Sequence, residues 1–199
     1  MNVIGARRFN SPGRKRQSKD VAIPRIRIYS FAMRRLEPPD VHHFHAAQGW
    51  LGLGARSDAW LELDAISPPN QHHPAVMDLR WTMHVAAREW DAALKVAGEM
   101  LVHAPDRADS WLHHAYALRR ASHGSLAQAR AALEPAAKKF PKEPVIPYNL
   151  SCYACQLQKL EEARSWFQLA LKAGKKSELK RMALADSDLQ ALWEEIRQL

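Results

Sequence analysis

Small and apolar residues recur along the chain at nearly equal intervals. Alanine occupies four positions separated by 34, 36 and 34 residues, and a residue able to pack follows each alanine four positions later. The alanines are Ala59, Ala93, Ala129 and Ala163, and the residues that follow them are Leu63, Ala97, Leu133 and Phe167. A spacing of four places both side chains on one face of a helix. The period predicts a stack of helix pairs, because one pair cannot bury its apolar face without a neighbour.

Helical periodicity and chain-breaking residues divide the chain into units. Leu79 and Met83 follow the helical period rather than the alternation of a strand. Pro74 suits the first turn of a helix, and we expect Asp40 to cap the first helix of the array. The units span roughly 40–70, 74–105, 107–141 and 144–174. The sequence therefore predicts an all-α fold, an α-solenoid of about four helix pairs over residues 40–174.

The last part of the chain, residues 175–199, is predicted to form a C-terminal capping helix. The acidic sequence Asp186-Ser187-Asp188 would cap its start, and apolar side chains would line one face. These side chains are Leu189, Leu192, Trp193 and Ile196. A solenoid needs such a lid because its last repeat would otherwise expose an apolar face to water.

The pattern resembles the tetratricopeptide repeat (TPR), a helix–turn–helix of about 34 residues with a Trp/Leu/Gly/Tyr, Ala, Phe, Pro signature. The fourth unit carries it most completely, with Tyr148-Asn149-Leu150, Tyr153, Ala163, Phe167 and Ala170. Trp81 stands where the family favours glycine, and the third unit has extra residues at 122–124. The acidic cap and the apolar residues after it also resemble the tail of uncharacterised bacterial repeat proteins. The resemblance implies a non-catalytic scaffold that holds a protein or peptide in a concave groove.

The groove residues follow from the same resemblance, since the first helix of each pair lines the concave side in this family. The candidates are Gln48, Asp78, Tyr116, Arg119, Arg120, Tyr148 and Gln156. Tyrosine beside paired arginines would suit a carboxylate-bearing peptide, because arginine binds carboxylates in a bidentate manner. The alternative interpretation is that both tyrosines pack between helices and that Arg119-Arg120 is a solvated helix end.

Charge is distributed unevenly. Residues 1–39 hold ten of the 29 Lys and Arg and two of the 21 Asp and Glu, a net charge of +8, and the rest of the chain holds 19 of each kind. We expect residues 1–39 to be a basic, disordered arm, because segment 5–19 has too few apolar residues to offset chain entropy. Residues 1–35 could bind nucleic acid through phosphate contacts; the alternative is a merely solvated arm.

Residues 1–32 are predicted to lie outside the folded unit, and Met33 could itself be a start site. The Val21–Phe31 stretch alternates isoleucine and arginine around Pro24, and an all-helical fold offers it no strand to pair with. The alternative is that its apolar residues dock on the first helix pair as an N-terminal lid.

No residue pattern argues for catalysis, a metal or a cofactor. The sequence has no GxSxG, GxxxxGK[ST] or GxGxxG motif, and its ten histidines show no metal-ligand spacing. Cys152 and Cys155 fall in mid-helix, where they are predicted to be small packing residues. We therefore predict no catalytic residues, no metal site and no cofactor.

Targeting signals are weak. No apolar stretch approaches the ~20 residues that span a bilayer, and the arginine-rich start is interrupted by Pro12 and Gly13, which would break a transit-peptide helix. A cytoplasmic location is the expectation. The predicted function is binding of a protein or peptide partner. The alternatives are a nucleic-acid-associated protein that uses the basic arm, and an assembly or regulatory subunit of an enzyme.

Overall fold

The computed structural model describes residues 35–199, and this part of the chain contains ten α-helices. The helices are α1 Asp40–Gly52, α2 Arg56–Ala65, α3 Pro74–Ala86, α4 Trp90–His103, α5 Ala108–Leu118, α6 Leu126–Lys139, α7 Val145–Gln156, α8 Leu160–Ala173, α9 Lys176–Ala185 and α10 Trp193–Gln198. Short 3₁₀ helices cover Pro68–Asn70 and Ser187–Leu192. The predicted all-α fold class is confirmed. The predictions about residues 1–32 and 1–35 concern a segment that lies almost entirely outside the described residues.

The first eight helices pack as four consecutive pairs, α1 with α2 through α7 with α8, and neighbouring pairs also pack on each other. The recurrent alanines Ala59, Ala93, Ala129 and Ala163 lie in α2, α4, α6 and α8, and all four are completely buried. The residues that follow them four positions later are buried as well. Each of these positions places a small side chain in the packed core, where interior packing leaves little space for a larger one.

Three of the pairs share one turn geometry. Residues 53–55, 87–89 and 157–159 connect their helices, and the middle residue of each turn is left-handed: Gly54 at φ 78°, Arg88 at 58° and Gln158 at 61°. The third pair has a longer connection, residues 119–125, as its extra residues predicted. Gly124 is required in this loop, because an added Cβ would lie 1.7 Å from the carbonyl oxygen of Leu118.

Asp40 does not cap the first helix, and that prediction is wrong. Its side chain is buried and accepts hydrogen bonds from the amide of Ser67 at 2.9 Å, from the Ser67 hydroxyl and from Asn70 Nδ2 at 2.6 Å. These three bonds lower the pKa of Asp40, the bond from Asn70 most strongly. The carboxylate therefore fixes the turn that follows α2 rather than the start of α1, whose N-cap position is Pro39.

The C-terminal segment consists of two helices rather than one. Helix α9 follows the last pair, a 3₁₀ turn begins at Ser187, and α10 follows. Leu189, Leu192 and Ile196 are almost completely buried in the same cluster as α7 and α8. Trp193 is half-buried, and its indole Nε1 donates to the carbonyl of Ala183 at 2.8 Å. The segment thus covers the last pair, which is what a solenoid cap must do.

Candidate functional site

An acidic turn near the C-terminus lies along α7. The turn contacts three residues spaced at four along that helix. Tyr148 Oη donates to the Asp186 side chain (Oδ2) at 3.0 Å, and Cys152 Sγ lies 3.6 Å from the same oxygen. Gln156 Nε2 donates to the backbone carbonyl of Asp188 at 3.0 Å. We call residues 186–188 the C-terminal acidic turn. Two of the predicted groove residues, Tyr148 and Gln156, are therefore in contact with the chain's own C-terminal segment.

Arg119 binds the same turn. Its Nη1 donates to Asp188 Oδ2 at 2.8 Å, and its guanidinium lies 5.3 Å from the centre of the Tyr153 ring. Both side chains of this ion pair are largely buried, with 18% and 17% exposed. Burial alone would lower the pKa of Arg119, but the hydrogen bond and charge of Asp188 raise it. Removing one partner of a largely buried pair is costly, because it leaves the other charge buried without compensation.

Arg120 has a different environment from its neighbour. Its guanidinium lies 3.7 Å from the centre of the Tyr116 ring and 5.3 Å from that of Trp90, and its Nη1 donates to the carbonyl of Tyr116 at 3.0 Å. Within residues 35–199, no carboxylate lies within ion-pair distance of it. Burial accordingly lowers the pKa of Arg120, the reverse of the shift at Arg119. Arginine stacked between aromatic rings keeps its in-plane N–H groups available to an acceptor.

The Arg120 side chain lines a pocket of about 410 Å³. The remaining lining residues are Arg88, Glu89, Trp90, Asp91, Ala92 and Ser122, from the α3–α4 turn, the start of α4 and the α5–α6 loop. Both acidic residues already have partners. Glu89 accepts from Arg56 at 2.5 Å and lies 2.8 Å from His84 Nδ1, whereas Asp91 accepts from the amide and the hydroxyl of Ser122 at 2.9 and 3.0 Å. We call this the Arg120 pocket.

Asp78, another predicted groove residue, joins α3 to the loop before α5. Its Oδ2 accepts from Arg107 Nη2 at 2.8 Å, and its Oδ1 lies 3.8 Å from His113 Nδ1. Arg107 also donates to Asp109 at 3.1 Å. Burial raises the pKa of Asp78 despite the arginine, and it lowers the pKa of His113 to about 3. This largely buried network holds two first helices together.

Trp81 occupies the position in the second pair at which the family favours glycine. Its ring is buried and stacks on His113, with centroids 3.8 Å apart and planes inclined by 20°. Tyr116 meets the edge of the same ring at 5.8 Å. The bulky residue therefore fills the space between α3 and α5 with aromatic contacts. Gln48 lies apart from this cluster, exposed on α1.

The structure thus brings the predicted residues into two groups. Arg119, Tyr148 and Gln156 meet the C-terminal acidic turn, and Tyr116 and Arg120 meet each other. Sequence reasoning did not find Trp90 or the acidic turn as parts of this surface. The acidic residues at 186–188 are the one sequence signal for this contact, and they also fit a helix cap, since the Asp186 side chain accepts from the amide of Asp188.

The cysteines and histidines form no cluster that could hold a metal. Within residues 35–199, no group of three or more His, Cys, Asp or Glu side chains converges. Cys152 and Cys155 are free thiols, both buried, and burial raises the pKa of each. Their packing role is as predicted from their mid-helix position. None of the helices that the structure describes is both long and apolar enough to cross a membrane.

Comparison with known proteins identifies the fold. The structure is similar to the crystal structure of TTC0263, a thermophilic TPR protein of Thermus thermophilus, with a TM-score of 0.54 and 14% sequence identity. The match covers 80% of this chain and 100% of that one. No family model matches the sequence, and no curated protein matches it. The α-solenoid of helix pairs is therefore a TPR fold, as the repeat pattern indicated, although sequence identity at this level shows the fold alone.

Proposed function

We propose that this protein is a non-catalytic scaffold that holds a protein or peptide partner on the surface formed by the first helices of its first three pairs, α1, α3 and α5. TPR arrays as a class serve protein interaction, and the repeat geometry supplies an extended surface for it. The more specific proposal, that a peptide binds along the first helices, rests on the contacts of the C-terminal acidic turn. A fold alone does not define a function, and these contacts indicate which ligand chemistry the first helices accept within this chain.

The C-terminal acidic turn carries the proposal. A short acidic stretch of the chain lies along α7 and bonds to a tyrosine, a glutamine and an arginine, which supports an acidic ligand for this kind of surface. The chain's own C-terminal segment covers the α7 part of the surface, and Leu189 and Leu192 of that segment are buried in the core. An external partner must therefore use α1, α3 and α5. Gln48 and Thr82 are the positions from which we would probe it.

Site-specific photo-crosslinking tests the proposal. A photoreactive amino acid at Gln48 or Thr82 should capture the same partner protein from cells that express the chain at natural levels. Matched positions on second helices are Lys95 and Gln168, both exposed on α4 and α8. These controls should capture little. Capture from Lys95 and Gln168 but not from Gln48 or Thr82 would place the partner on the other surface and contradict the proposal.

A second candidate function rests on charge. Residues 1–39 carry a net charge of +8 while the rest of the chain sums to zero, a distribution that favours association with nucleic acid. Duplex DNA binding by the full chain should weaken steeply with salt, and a fragment beginning at Met33 should lose it. Equal DNA binding by both proteins would remove this candidate. An assembly subunit of an enzyme and a cytoplasmic location remain predictions from the sequence.

A further inference from the structure

We propose that the Arg120 pocket recognises a carboxylate on an acidic segment of the partner. This inference rests on the proposed function and assigns one recognition element to it. Its first support is the contrast between adjacent arginines. Arg119 and Arg120 both lie against aromatic rings, yet only Arg119 has a carboxylate partner within the described residues, supplied by Asp188.

The second support is the state of the two carboxylates in the pocket, which also holds the cationic side chain of Arg88. Glu89 and Asp91 are each held by two donors outside Arg120, so neither is positioned to neutralise it. Among residues 35–199, the pocket therefore presents a guanidinium whose contacts are two rings and one backbone carbonyl. A carboxylate is the ligand that such a group binds with paired, charge-assisted hydrogen bonds.

The third support is that the chain contains an example of the complementary ligand. In the C-terminal acidic turn, Asp188 binds Arg119 beside the ring of Tyr153, while the backbone carbonyl of the same residue is held by Gln156. At the Arg120 pocket, the guanidinium lies against the rings of Tyr116 and Trp90, as that of Arg119 lies against Tyr153. Ser122 is a neighbouring polar residue in the pocket wall. The pocket volume of about 410 Å³ accommodates an acidic side chain with its adjoining backbone.

The occupant is an acidic stretch of a protein rather than a nucleic acid. A phosphate backbone requires a run of cations, whereas this pocket is lined by two arginines, Arg88 and Arg120, together with two carboxylates. A single side-chain carboxylate needs only one guanidinium, and Arg120 has one that is not hydrogen-bonded to Glu89 or Asp91.

The test uses the full chain and a defined probe, an acetylated and amidated peptide with the sequence Ala-Asp-Ser-Asp-Leu of residues 185–189. Binding is followed by NMR through the indole N–H of Trp90, which lies against Arg120, with the exposed Trp50 indole as internal control. The peptide should shift the Trp90 signal in a saturable manner and leave Trp50 unchanged. A peptide with both aspartates replaced by asparagine should bind at least about tenfold more weakly.

Variants of Arg120 distinguish specific recognition of the peptide carboxylate from a general effect of the protein's net charge. Arg120→Gln should weaken binding at least about tenfold, and Arg120→Lys should recover part of it, because lysine keeps the charge but not the bidentate geometry. Arg181→Gln is the matched control, since this exposed residue of α9 changes the net charge equally. Thermal unfolding of each variant verifies that the fold is intact.

Three results would overturn the inference. The first is equal affinity of Arg120→Gln and the wild type for the acidic peptide. The second is equal affinity of the wild type for the acidic peptide and its asparagine version. The third is a lower Kd for inorganic phosphate than for the acidic peptide, measured from the shift of the Trp90 signal. None of them would affect crosslinking from Gln48, so failure of the pocket can be told apart from failure of the proposed function.

Discussion

The C-terminal segment should be essential for stability, and one leucine tests this directly. Leu189 is completely buried among the side chains of the last pair and α9, so Leu189→Ala removes buried methyl groups and leaves a cavity. Substitutions of this kind cost about 2–5 kcal/mol. For a chain of this size, each kcal/mol lowers the melting temperature by about 2–4 °C. We therefore expect a fall of roughly 4–20 °C.

The chain offers a matched control at its last residue. Leu199 is 40% exposed, so Leu199→Ala should change stability by less than about 0.5 kcal/mol. Deleting residues 186–199 should destabilise more than Leu189→Ala, because it also exposes the faces that Leu192 and Ile196 cover and leaves Arg119 without Asp188. Circular dichroism at 222 nm during heating, together with urea titration, measures all three variants. Identical melting curves for wild type and Leu189→Ala, or for wild type and the deletion, would refute the assignment of this segment as a cap.

The remaining predictions concern single positions. Burial lowers the pKa of His113 from 6.5 to about 3. Between these pH values the unfolded state binds more protons than the native state, so the free energy of unfolding decreases as the pH is lowered. We expect about 2 kcal/mol of loss between pH 6.5 and 5 from this residue, and His113→Phe should abolish that component in urea titrations at the two pH values. Gln158→Gly should raise stability by up to about 1 kcal/mol, because Gln158 has a left-handed backbone at φ 61°; an unchanged urea midpoint would contradict this. Cys152 and Cys155 should react with a thiol reagent only as fast as the protein opens, since both are buried; rapid labelling of the native protein would disprove it.

The two adjacent arginines illustrate why an experiment should treat them separately. The sequence suggests a single paired site at Arg119-Arg120, and replacing both would seem a clean test of binding. In the structure, Arg119 holds the C-terminal acidic turn through Asp188, so its removal perturbs the cap as well. Of the two, only Arg120 can be changed without breaking an ion pair within the described residues, which is why it carries the binding test.

The sequence by itself determined the fold class and the helix pairs. Each pair is specified by residues close together in the chain: alanines at the helix contacts, prolines near the helix ends, and apolar residues at helical spacing. Local patterns of this kind can be recognised without a structure, because helix periodicity and repeat period are properties of the sequence alone. The four predicted units match the observed pairs closely for this reason.

Tertiary structure alone decided what each polar side chain does. Asp40 has the identity and position of a helix cap, yet it binds Ser67 and Asn70 across a turn that only folding brings near. Arg119 meets Asp188, 69 positions away, whereas Arg120 meets two aromatic rings and no carboxylate in the described part of the chain. Adjacent residues at the end of a helix point in different directions, so which one finds a partner depends on the path of the C-terminal segment. No local sequence pattern specifies the path of the C-terminal segment, yet this path decides which arginine is left without a carboxylate and so where the candidate site lies.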